Sequence, residues 1–185
     1  RSAVLISLLP RDRFRYGYRL ALDEASALPL RTEVLDEAGN PLVQTLFVDL
    51  RVGPEVRHEP DGERAARATE PAAAKHAVAP LQQSALPWAF TELPRGFRLA
   101  MATRRTLPGD GRELQHLVYS DGVASVSIYI GEPGDHDLEG EAVVGAVNAF
   151  GARVGEYPAV ALGEVPPPTL RAFVTGLRRQ PEGAK

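Results

Sequence analysis

Apolar residues fall on every second position through long parts of this chain, and turn-forming residues cut the alternation repeatedly. Tyr16, Tyr18, Leu20 and Leu22 alternate with Gly17, Arg19, Ala21 and Asp23. A period of two puts one set of side chains on each face of a strand, so such a segment forms a half-buried β-strand and not a helix. Before it, Val4 to Leu9 is a short apolar run closed by Pro10. After it, the turn 23–27 leads into Leu28 to Leu35, and Asp36 to Pro41 supplies a second turn in which Gly39 or Asn40 can take positive φ. Leu42 to Val52 is expected to alternate again, with Leu42, Leu46, Val48 and Leu50 facing one way. Residues 1–53 therefore read as a four-stranded antiparallel meander whose apolar face needs a cover.

Pro, Ala, Glu and Arg dominate from position 54, and large apolar side chains almost vanish. Such a stretch buries too little surface to offset its ordering entropy, so residues 54–83 are expected to be a flexible linker. A second unit is predicted over 84–180, followed by a tail at 181–185. In it Phe97, Leu99, Met101 and Thr103 alternate as one face of a strand, and Leu107 to Gly111 turns onto Leu114 to Tyr119. Ser120-Asp121-Gly122 turns into Val123 to Ile130. Ala142 to Val154 and Tyr157 to Val165 form a predicted hairpin around Gly155-Glu156. After Pro166 to Pro168, Leu170, Phe173, Val174 and Leu177 recur at the spacing of one helix face. The class is α+β, mostly antiparallel sheet with a C-terminal helix; 17 glycines and 16 prolines suit its many turns.

A net charge of −3 and 6% aromatic residues argue against nucleic acid as a partner. The absence of cysteine removes disulfides and thiolate metal sites. No apolar run approaches the roughly 20 residues of a membrane helix. The chain opens directly into Ala3-Val4-Leu5-Ile6, with no signal-like order of segments, and the expectation is that it starts inside a larger protein.

No reactive cluster survives inspection. Asp135 to Gly140 imitates the opening of a calcium loop, but Ala146 stands where the closing carboxylate belongs. His58 and His76 fall in the predicted linker. His116 alternates in a strand beside Leu114 and Val118, and no histidine pair has zinc-site spacing. Ser120 and Asp121 follow His116, yet Val118 and Gly122 flank the serine where a hydrolase elbow requires two glycines. The expectation is a binding protein with no catalytic residue, metal or cofactor. Tyr16, Tyr18, Leu20 and Leu22 are either core or the wall of a cavity for acyl chains or of a docking groove for a peptide. Trp88 and Phe90 are either core plugs or interface anchors.

Several blocks resemble one family in order along the chain. Arg15 to Leu20, Leu22-Asp23, Leu28 to Leu30 and Asp36 to Gly39 resemble the end of the large domain of RseB/MucB proteins. Leu93 to Phe97, His116 to Gly122, Gly145 to Asn148 and Gly163 to Pro166 resemble their small domain. The resemblance implies a large domain like the LolA/LolB lipoprotein carriers, of which roughly the first half is missing here. It also implies a periplasmic regulator that binds the periplasmic domain of a membrane anti-sigma factor of RseA/MucA type. That binding shields the anti-sigma factor from its first protease, and lipopolysaccharide or lipoprotein acyl chains release the regulator. His116, Tyr119, Ser120, Asp121 and Trp88 are the expected partner-binding residues; Tyr16, Tyr18, Leu20 and Leu22 are the expected lipid-binding ones. The runner-up reading is a lipid or lipoprotein carrier. Bare strand edges could also pair two copies into a homodimer.

Overall fold

The computed structural model describes residues 1–51, 53, 86–106, 111–135 and 139–180, together with the backbone of 78–80. Four strands, β1 (Ala3–Leu8), β2 (Gly17–Asp23), β3 (Pro29–Leu35) and β4 (Pro41–Leu46), form an antiparallel meander in chain order. Directly paired residues share a face, so Val4, Ile6 and Leu8 lie beside Leu22, Leu20 and Tyr18, and Tyr18 lies beside Val34. That face is apolar. The opposite face carries Arg19 and Glu33 as a cross-strand pair, with Arg31 two positions from Glu33. Glu33 is buried but accepts hydrogen bonds from both Arg19 and Arg31, and these bonds hold its carboxyl below the usual range.

The second unit is larger. Its seven-stranded antiparallel sheet runs in the order β10-β11-β12-β9-β8-β7-β5. The strands are β5 (Val78–Pro80), β7 (Arg98–Thr106), β8 (Glu113–Ser120), β9 (Ser125–Ile130), β10 (Gly140–Val144), β11 (Val147–Val154) and β12 (Tyr157–Gly163). Helix α1 (Pro167–Gly176) packs on β11 and β12. A two-stranded sheet pairs β6 (Trp88–Phe90) with β13 (Leu177–Arg179). One face of the large sheet is the core: Leu117, Ile128 and Ala161 stand in register across three strands, under Leu170, Phe173 and Val174 of the helix. The helical spacing seen in the sequence is the one observed, and Leu177 is buried with the other three, though it already belongs to β13.

Four expectations are corrected. The strand expected over Leu42 to Val52 stops at Leu46. Phe47 makes one more backbone bond, to Leu30, beyond which β3 ends at a proline and offers no partner, so Val48 is fully exposed. Ala142 to Val154 is two strands, because Gly145 takes a φ of 63° and turns the chain at Gly145-Ala146. A bulge between Leu99 and Met101 moves those residues to opposite faces: Leu99 pairs with Tyr119 on the core side and Met101 with Val118 on the other. Val78 to Pro80, assigned to the linker, is an edge strand of the second sheet. The rest of 54–83 lies outside the described residues, as do His58, His76, His136 and the tail.

Candidate functional site: the cleft between the two units

The loop between β1 and β2 leaves the first sheet and reaches the second unit with three consecutive residues. It turns on Asp12, whose carboxylate accepts the Phe14 N–H at 2.9 Å. The Phe14 carbonyl accepts a hydrogen bond from the Thr169 hydroxyl at the start of α1, 2.8 Å away. Tyr16, just ahead of β2, accepts a hydrogen bond from Asn148 Nδ2 at 2.8 Å, and the same amide donates to the Val165 carbonyl.

Arg15 is the centre of the contact. Its Nε donates to Asp121 Oδ2 at 2.5 Å, another nitrogen donates to the Arg95 carbonyl, and the guanidinium lies over the Phe97 ring, 5.0 Å from its centroid. The backbone makes room for it. Gly96 has a φ of 89°, and a Cβ added there would lie 3.1 Å from Arg15 Nη2. Asp121 in turn accepts the N–H groups of Val123 and Ala124. Burial works against its charge, but the Ala124 and Val123 N–H groups and the Arg15 guanidinium outweigh it, and the carboxyl sits below the usual aspartate range.

Beside this contact is a cleft of about 980 Å³, with Arg13 and Phe14 on the first unit's wall and Pro94, Arg95, Arg171 and Ala172 on the second's. Its lining is mostly apolar and its rim mixed in charge: Arg171 pairs with Glu141, while Arg13, Arg95 and Glu92 make no ion pair among the described residues. Thr91, Glu92 and Leu93 also line a second recess, of about 740 Å³.

The expected partner residues separate. Asp121 is in the inter-unit contact. Ser120 is spent on its turn, with its hydroxyl bonded to Ala124 and Gly122. Trp88 and Tyr119 are buried in the core and line the second recess from below. Trp88 donates to Gln115 and stacks edge-on against Tyr157; Tyr119 meets Phe90 and Phe173. His116 points to the opposite face of the sheet and stacks on Tyr129. Four positions along β8 separate it from Ser120, roughly 13 Å at strand rise, so the two do not form a nucleophile–base pair. Of the expected lipid residues, Tyr18, Leu20 and Leu22 share the apolar face of the first sheet and are half-buried, whereas Tyr16 serves the junction. Sequence reasoning missed Phe14, Arg15 and Thr169 as junction residues; the Arg15-Tyr16 block carried a family signal but no periodic one. Among the described residues no three metal-ligating side chains cluster, and no helix is long and apolar enough to cross a membrane.

Two family models cover most of the chain: the MucB/RseB N-terminal domain over residues 1–72 and the MucB/RseB C-terminal domain over 82–178. The chain is 30% identical to the sigma factor AlgU regulatory protein MucB of Pseudomonas aeruginosa, over all of this chain and 58% of that protein. It is 29% identical to the sigma-E factor regulatory protein RseB of Haemophilus influenzae, over 94% of this chain and 54% of that one. The chain thus spans little more than half the length of the curated relatives it matches. Among solved structures, the complex of Pseudomonas aeruginosa MucA and MucB contains a chain 25% identical to this one that aligns with a TM-score of 0.74, over 98% of this chain and 61% of that one.

Proposed function

The chain belongs to the MucB/RseB family, and on that premise we propose that it is a periplasmic regulatory binding protein. It holds the periplasmic segment of a membrane anti-sigma factor of MucA/RseA type, shields it from regulated proteolysis and so keeps an envelope-stress sigma factor silent. The observation that carries this reading is the likeness, over almost the whole chain, to a protein solved in complex with MucA. The inter-unit cleft supports it physically, because it joins an apolar floor to a mixed rim of Arg13, Arg95 and Glu92. Trp88 and Tyr119, themselves buried, form the base of the adjoining recess, and Asp121 fixes the wall.

Titration calorimetry with a synthetic periplasmic segment tests this. Ala172→Trp places an indole in the cleft from the α1 side and should weaken binding about tenfold or more. Unchanged affinity at unchanged melting temperature removes the cleft as the site.

Release belongs to the first unit, which we read as the later part of a lipoprotein-carrier-like domain. Tyr18, Leu20 and Leu22, continued by Val4, Ile6 and Leu8, are the apolar surface for acyl chains of lipopolysaccharide or lipoproteins. By linkage, lipid and anti-sigma segment must weaken each other by the same factor. The edge of β1, where Leu5 is exposed, is the place for two copies to pair. Sedimentation equilibrium of Leu5→Lys should show less dimer than the native chain, and an unchanged distribution excludes that edge.

A further inference from the structure

The face of the seven-stranded sheet turned away from α1 carries polar side chains with buried hydrogen-bonding atoms that have no partner among the described residues. Thr103 on β7 stands directly opposite His116 on β8, and Arg105 follows two residues along on the same face. Thr103 is 5% exposed and His116 6%. Thr103 Oγ1, Arg105 Nε and both ring nitrogens of His116 are buried without a hydrogen-bond partner. Arg105 makes no ion pair among the described residues. Buried polar atoms are nearly always paired, so four orphaned atoms on two neighbouring strands call for a cause.

The imidazole is held in place. It stacks face to face on Tyr129 with centroids 4.3 Å apart and planes within 7°, which occupies the ring face and leaves both nitrogens at its edge. A hydroxyl, a guanidinium N–H and an imidazole N–H can all donate. Their shared complement is a negatively charged group with two acceptor oxygens.

We propose that Thr103, Arg105 and His116 form a binding site for a single carboxylate, supplied by a small organic acid or by an acidic side chain of a peptide. Charge selects a monoanion. Burial first, and Arg105 second, lower the His116 pKa, so at neutral pH the ring is uncharged and Arg105 is the cation of this cluster among the described residues. A carboxylate seated beside it reverses part of that shift. The way in is the sheet edge: β5 has three residues and pairs Val78 with Arg105 and Pro80 with Thr103. So short an edge strand opens at small cost.

The test follows the His116 ring signals of the whole chain by NMR at constant ionic strength. Acetate and a capped peptide with one glutamate are titrated separately, with chloride as control. The proposal expects a saturable shift with at least one carboxylate, and a rise in the His116 pKa on saturation. Saturation by the peptide alone assigns the site to a protein partner, and equal saturation by acetate assigns it to free acids. Thr103→Val keeps the shape and removes the hydroxyl, and Arg105→Gln removes the charge; each should weaken binding about tenfold. A shift that never saturates, one that chloride reproduces, or variants that bind like the native chain would overturn it.

Discussion

Arg15 and Asp121 show how a single pair can orient two sheets. The pair is largely buried, joined by one Nε–H to Oδ2 bond while Arg15 also donates to the Arg95 carbonyl, and far apart in sequence, so it is worth more than a surface ion pair. Asp121→Asn should cost about 2 kcal/mol at neutral pH, read by chemical denaturation. The sign with pH follows from the lowered Asp121 carboxyl. The stabilisation is complete above the unfolded value of about 3.9 and fades as pH falls through it toward the lower folded value. The melting-temperature gap between the native chain and Asp121→Asn should therefore close below about pH 4; a gap that persists in acid contradicts this role. Phe173 is the other decisive side chain, fully buried and in ring contact with Phe90, Phe97 and Tyr119. Phe173→Ala should cost about 3–5 kcal/mol by the same measurement.

At the scale of elements, β12 and β9 approach closely at Gly163. A Cβ there would strike the Ser125 carbonyl oxygen, which is backbone and cannot swing aside. Gly163→Ala should therefore cost about 1–3 kcal/mol and speed amide exchange in β9. Elements with strong local signals were legible in the sequence. Tyr18, Leu20 and Leu22 marked β2 by period two, and Leu170, Phe173 and Val174 marked α1 by helical spacing. The misses have non-local causes. The bulge at Leu99 to Met101 is set by pairing with β8, and nothing in the alternation announces it. The end of β4 is set by where β3 stops. The three-residue β5 has no periodicity to read and exists only because β7 offers an edge. Junction residues escaped for the same reason, since Arg15 and Asp121 are 106 positions apart and meet only after both units fold.

For the whole molecule, two sheets with different faces give one polypeptide two kinds of surface. The first sheet has an apolar side whose β1 strand is exposed throughout; the second has a closed core and a recess beside its helix. Phe14, Arg15 and Tyr16 make the contacts between them. On the proposed function, these contacts transmit the competition between acyl chains and the anti-sigma segment, and Asp121→Asn should weaken it, measured as the ratio of segment affinities with and without lipid. An unchanged ratio would mean that the junction carries no coupling. A partner peptide seated in the cleft between the units, as proposed, covers both of its walls. Amide hydrogen exchange of the chain with and without the periplasmic segment should therefore slow at 12–15, 91–95 and 168–176 on binding; binding that leaves those three segments unprotected, with protection elsewhere, would place the peptide on another surface.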